Sequence, residues 1–171
     1  MQRNIQQQYL KAYDEYADAI YRHCFFRVFS KPLAEELTQE TFLKTWQYLQ
    51  KGKQVDNLRA FLYKVANNLV IDYVRKKKED HLDALLENSP ELEPTYDGRQ
   101  DIETAELARQ AITMMESLKE DEREILTMRY IDQLELSEIA EVLDISVNNV
   151  SVRLNRAMKA LRNELNESPI P

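Results

Sequence analysis

The chain has 171 residues, 43% hydrophobic and 31% charged, with a formal net charge of −7, enough apolar material for one domain or two small ones and too much for a wholly disordered chain. Only two glycines, Gly52 and Gly98, stand among many Leu, Ala, Glu, Lys, Arg and Gln residues, a composition of helices with short loops. Cys24 is the single cysteine, which excludes an internal disulfide and a Cys-based zinc site; neither a signal-peptide core nor an apolar run of roughly 20 residues occurs.

These features predict an all-α, soluble, cytoplasmic protein. The first predicted helix is YLKAYDEYADAIYRHCFFRVF, with Tyr13, Ala17, Ile20 and Cys24 on one buried face. Ser30 can cap the second, and Pro32 fits its first turn, where a missing N–H costs nothing. That helix, PLAEELTQETFLKTWQYLQ, turns Leu37, Phe42, Trp46 and Leu49 inward and keeps Glu36, Gln39, Glu40 and Lys44 on a polar face; Gly52 ends it. After the polar loop KGKQVDN comes LRAFLYKVANNLVIDYVRKKK, with Leu58, Phe61, Leu62 and Val65 at helical spacing and a brief break expected at Asn67-Asn68. From Leu58 to Lys78 six cations stand against Asp72 alone.

Residues 79–103 change character. They are acidic, Arg99 is their only Lys or Arg, and Pro90, Pro94 and Gly98 punctuate them. They predict a linker, mobile in part, in which HLDALLE can form a short helix. The linker separates two small helical domains, residues 1–78 and 104–167.

The second domain opens with IETAELARQAITMMESL and continues with KEDEREILTMRYIDQL. It ends in ELSEIAEVLDISVNNVSVRLNRAMKALRNEL, the clearest geometry in the chain. Ile139, Ala140 and Leu143 form the apolar face of a short helix, Asp144 stands at a tight turn, Ile145 plugs the corner and Ser146 caps a second helix. On that helix Val150, Leu154, Ala157 and Leu161 make one stripe. Asn148, Val152, Asn155 and Lys159 occupy the opposite side, Asn149, Arg153 and Arg156 line one flank, and no acid occurs between Ser146 and Asn163. This pattern describes a DNA-reading helix-turn-helix; its plain counterpart is a helical hairpin with a solvated basic face. The cations Arg75 to Lys78 fit a helix C-terminus as well as a phosphate track.

EELTQETFLKTW, LRAFLYKVANNLVIDYVRKKK and LSEIAEVLDISVNNVSVRLNRAMKAL together resemble the hallmark segments of the extracytoplasmic-function (ECF) sigma factors of bacterial RNA polymerase. The resemblance covers most of the chain outside the linker and the last residues. It implies that residues 1–78 are sigma region 2 and residues 104–167 sigma region 4. It implies that Glu36, Gln39, Glu40 and Lys44 face the β′ coiled coil of the polymerase core, and that the core's β flap is a further contact. It implies −10 promoter contacts by Lys53, Arg59, Asn67, Asn68, Arg75, Lys76 and Lys77, with Asn68 near a pocket for an extruded base. For the −35 element it implies Ser146, Asn148, Asn149, Ser151, Val152, Arg153, Arg156 and Lys159. An anti-sigma factor is implied as a partner, and no membrane is. Members of the family often carry Gly at the place of Asp144, a basic residue at that of Ser151 and Ser at that of Glu135.

No catalytic set, glycine-rich phosphate loop or paired-histidine metal spacing is present, so neither an enzyme nor a cofactor or metal is expected; His23 reads as a helix histidine rather than a ligand. Two rivals stand beside the sigma factor. One is a stand-alone helix-turn-helix regulator, which would bind duplex DNA without polymerase; the other is a helical adaptor that binds only protein.

Overall fold

A computed structural model describes residues 2–83 and 102–167. Seven α-helices and one π-helical turn form it, and no strand occurs among the described residues. The first half holds α1 (Gln2–Val28), α2 (Lys31–Gln50) and α3 (Leu58–Asp83). The second holds α4 (Ile102–Ser117), α5 (Glu120–Leu126), the π-helical turn Thr127–Ile131, α6 (Leu136–Leu143) and α7 (Val147–Glu167). None of the described helices is long and apolar enough to cross a membrane.

Helix boundaries follow local chemistry. Ser30 is in extended conformation and its Oγ accepts from the Leu33 N–H (3.5 Å). Gly52, at φ 73°, closes α2 by donating to the Leu49 carbonyl. Asn57 Oδ1 accepts from the Ala60 N–H (3.0 Å) at the start of α3. Arg123 gathers the end of α4 by donating to the carbonyls of Met115, Glu116 and Leu118.

Three predicted details are corrected. Helix α3 runs unbroken through Asn67-Asn68, because the buried Asn67 amide bonds across the fold instead of competing for its own backbone. It also continues past Lys78 to Asp83, since the change of charge sign at Glu79 brings no helix breaker. Tyr13 is 46% exposed, while Ile20 and Cys24 are fully buried as expected. The predicted linker therefore overlaps α3 and α4 at its ends, and its remainder, 84–101 with most of HLDALLE, lies outside the described residues.

The buried apolar residues form one continuous core, from Ala12, Ile20 and Phe42 through Leu62 and Val70 to Met128, Ile139 and Val150. Helices α1, α2 and α3 pack mutually; α5 and α6 each pack on α7, and α5, the π turn and α6 seat on α1 and α3. The relative placement of the halves, which the sequence left open, is thus a packed interface. Burial pushes the Cys24 thiol up to about 12, so it stays protonated at neutral pH.

Asp144 carries the helix-turn-helix corner. It is left-handed, φ 54° and ψ 46°, and its N–H and that of Ile145 both donate to the Ala140 carbonyl. Asp tolerates this region; a β-branched residue does not. Asp144→Val should cost about 1–2 kcal/mol of stability and Asp144→Gly nothing measurable, checked by urea unfolding of the three proteins.

Candidate nucleic-acid interface

Helix α7 is held by its buried stripe of Val150, Leu154 and Ala157, which pins one face and leaves the other outward. Its start is fixed by Ser146, whose Oγ accepts from the Asn149 N–H (3.1 Å). Before the corner, Glu135 takes the place of a capping Ser; the Glu138 carboxylate instead accepts from the Glu135 N–H (2.9 Å).

The outward face carries Asn148, Asn149, Val152, Asn155, Arg156 and Lys159, all exposed, with Ser151 and Arg153 half-buried beside them. Ser151 Oγ donates to the Val147 carbonyl. Arg153, Arg156 and Lys159 make no ion pair among the described residues, which places three cationic groups along this face. Amides that can bond base edges, an apolar Val152 and phosphate-seeking cations thus share one helix face.

The seven −10 candidates divide. Lys53, Asn68, Arg75, Lys76 and Lys77 are exposed. Lys53 sits 4.8 Å from the centre of the Tyr48 ring, and Arg75 pairs with Asp72 at 3.4 Å, an exposed contact of small energetic weight. Arg59 and Asn67 face the second half instead. Arg59 Nη1 donates to both Glu138 carboxylate oxygens (2.8 and 2.9 Å), and Nη2 to the Asp132 carbonyl (3.2 Å). Asn67, 1% exposed, accepts from Arg27 Nη1 (2.6 Å) and donates to Glu124 Oε1 (3.1 Å).

Further residues that the sequence reading left unassigned complete this seam. Arg27, with a fully buried side chain, also donates to Glu120 Oε1 (2.5 Å) and lies 3.7 Å from Glu124 Oε1. His23 Nδ1 donates to Asp132 Oδ2 (2.6 Å), and its ring meets Tyr63 edge-on. The second half therefore presents Glu120, Glu124, Asp132 and Glu138 to His23, Arg27, Arg59 and Asn67 of the first. A polar cleft of about 510 Å³ opens beside the seam, lined by Arg22, Arg59, Tyr63, Asp132 and others.

The polar face of α2 carries Glu36, Gln39 and Lys44, exposed, and Glu40, half-buried and 3.8 Å from Lys44. Next to Gln39 is an apolar groove of about 320 Å³ between α1 and α2, lined by Tyr9, Leu10, Tyr13, Phe42, Leu43 and Trp46. Leu43 is 48% exposed and Leu10 54%. The spacing of Glu36, Gln39, Glu40 and Leu43 places Leu43 on the same helix face, a signal readable in the sequence.

Two family models match the chain: "Sigma-70 region 2" over residues 12–79 and "Sigma-70, region 4" over residues 108–161. The ECF RNA polymerase sigma factor SigW of Bacillus subtilis is 32% identical, over 90% of this chain and 87% of its own. SigM of the same organism, also an ECF RNA polymerase sigma factor, is 29% identical, over 88% and 90%. Among solved structures, the sigma factor RpoE from Bartonella quintana in complex with the anti-sigma factor NepR superposes with a TM-score of 0.75 at 18% identity. The match covers 94% of this chain and 98% of RpoE, a likeness of fold.

Proposed function

The chain belongs to the ECF RNA polymerase sigma factors, and from that premise we propose how its two halves divide the work. It is an alternative sigma factor: it joins core RNA polymerase and directs promoter-specific initiation of transcription. A factor of this kind acts by binding, and its work lies where promoter and polymerase are, in the cytoplasm.

In our reading α7 enters the major groove of the −35 element. Asn148, Asn149 and Ser151 meet base edges, Val152 offers an apolar contact, and Arg153, Arg156 and Lys159 hold phosphates. The observation that carries this is the outward face of α7, whose exposed amides stand beside Arg153, Arg156 and Lys159, none of them in an ion pair among the described residues. Helix α3 and the loop before it take the −10 element: Asn68 and the Arg75–Lys77 run of the helix and Lys53 of the loop are exposed for it. A base extruded there gains contacts only once the duplex is open, which favours the melted state. A partner of the anti-sigma class, of the kind bound to RpoE from Bartonella quintana, fits the same fold.

The polymerase coiled coil docks on α2, with Glu36, Gln39, Glu40 and Lys44 at the rim and the apolar groove around Leu43 at the centre. A central apolar anchor carries more binding energy than rim charges. Leu43→Glu should therefore weaken core-polymerase binding roughly 30-fold or more while leaving the unfolding midpoint unchanged, since the side chain is half exposed. Titration of labelled polymerase core with each protein measures it.

The reading as a whole is tested by transcription with core polymerase on a promoter library, with and without this protein. Selective initiation supports it. Specific duplex binding by the protein alone, with no initiation, would replace it with a stand-alone regulator.

A further inference from the structure

The polar cleft of about 510 Å³ lies between α1, α3 and the chain leaving the π turn, and its size falls in the range of about 300–1,000 Å³ usual for small-ligand sites. Glu15 and Arg22, two turns apart on α1, line it with Tyr16 beside them. Arg59 and Tyr63 line it from α3, with the Arg59 guanidinium carbon 5.9 Å from the centre of the Tyr63 ring. Asp132 and Gln133 close the remaining side. That side has uncommon backbone: Asp132 leaves the π turn, and Gln133 is left-handed at φ 55°. Strained and π-helical segments concentrate at sites that bind or react.

Part of the cleft suits an anion. Burial holds the Tyr63 hydroxyl above the ordinary tyrosine range, the Asp132 carboxylate adds to the rise, and the Arg59 and Arg22 guanidinium groups oppose it. The hydroxyl is therefore a neutral O–H donor at neutral pH, with two cations close enough to act on it. Arg22 is exposed and makes no ion pair among the described residues. Arg59 Nη1 is already given to Glu138, so Arg59 adds charge while Arg22 and Tyr63 supply free donors. Such a set suits phosphate. A bare phosphate leaves the rest of the cleft unanswered. Glu15 and Asp132 repel an anion and call for donors instead. Asp132 is 7% exposed; its Oδ2 accepts from His23, and its Oδ1 has no hydrogen-bond partner among the described residues. A buried acceptor in that state carries a penalty that an arriving N–H relieves. Tyr16, half-buried beside Glu15, offers a flat aromatic surface.

We propose that this cleft binds a nucleoside monophosphate, with the phosphate at Arg22, Arg59 and Tyr63, the base against Tyr16, and an amino group of the base donating to Asp132 or Glu15. One small molecule then answers all three kinds of group: cations and a phenol, an aromatic face, and carboxylates without donors. A sugar phosphate answers only the first. The chain has no glycine-rich loop, so the phosphate is held by side chains and not by a nest of backbone N–H groups. The site lies apart from the outward face of α7 and from the groove around Leu43, and it does not rest on the promoter and polymerase assignments above.

Calorimetric titration of the full-length protein with guanosine monophosphate, adenosine monophosphate, ribose phosphate and inorganic phosphate tests this. At least one of the two nucleotides should bind, about 10-fold or more tighter than ribose phosphate, because the base adds a stacked ring and a hydrogen bond to a carboxylate. Arg22→Ala should weaken that nucleotide roughly 10-fold or more and leave the unfolding midpoint of the free protein unchanged, since the side chain is exposed and unpaired among the described residues. Tyr63→Phe keeps the buried ring, removes only the hydroxyl, and should weaken it by about 5-fold. Binding of neither nucleotide overturns the proposal. Equal affinity for ribose phosphate or inorganic phosphate also overturns it, by removing the base from the site. Nucleotide affinity unchanged in both variants places the ligand elsewhere on the protein and overturns it too.

Discussion

Arg27→Ala should lower the stability of the packed protein by about 3–5 kcal/mol, the largest loss expected from any single change in the chain. The guanidinium is fully buried and serves Asn67, Glu120 and Glu124 together. Its removal leaves Glu124 and Asn67 buried without their cation, and a stranded buried charge costs far more than an intact pair contributes. For a protein of ordinary stability, about 5–15 kcal/mol, that is a third or more of the total. Urea unfolding followed by circular dichroism measures it. The transition should move to lower urea and lose cooperativity, as the second half separates from the first before either melts. Arg27→Lys should recover only part of the loss, because an ammonium cannot span Asn67 and Glu120 in the fixed fork that both contacts use. A loss below about 1 kcal/mol would show that the buried guanidinium does not hold the halves together.

The double variant Arg153→Ala, Arg156→Ala should cut initiation from the selected promoter by roughly two orders of magnitude, from about 1–3 kcal/mol for each cation lost. Neither side chain makes an ion pair among the described residues, so stability should change by no more than about 0.5 kcal/mol. Polymerase binding, assigned to α2, should be unaffected. If both groups hold phosphates, the salt dependence of promoter binding should also flatten, by about one in the log–log slope for each contact. If the effect is instead confined to particular base substitutions in the −35 element, one of the two reads a base edge. Full initiation by the double variant would remove α7 from the promoter.

The parts legible in the sequence are those fixed by neighbours. Ser30 before Pro32, Gly52 after α2, Asp144 at the corner and Ser146 before α7 mark their helices within four residues of the feature they control. The stripe of Val150, Leu154 and Ala157 is equally local. What escaped was set by partners far along the chain. Asn67 looked like a helix breaker because its buried acceptor and donor partners, Arg27 and Glu124, lie 40 and 57 residues away. Arg59 looked like one more DNA-facing cation, although Glu138, 79 residues on, holds it. His23 carries no sign that Asp132, 109 residues on, will meet it. Period and capping say which face a helix buries, but not whether a buried polar group faces its own module or another.

The π-helical turn Thr127–Ile131 gives the seam a mechanical property. Its wider spacing, with the Asp132 N–H donating to the Thr127 carbonyl, holds one more residue than α-helical geometry would before the chain leaves the helix. Asp132 stands at its exit and touches both neighbours, His23 through its side chain and Arg59 through its carbonyl. Tightening this turn to α geometry would rotate Asp132 by about 100° around the helix axis. Both contacts would then release in a single backbone movement. One residue of register in this turn thus decides whether Asp132 meets His23 and Arg59.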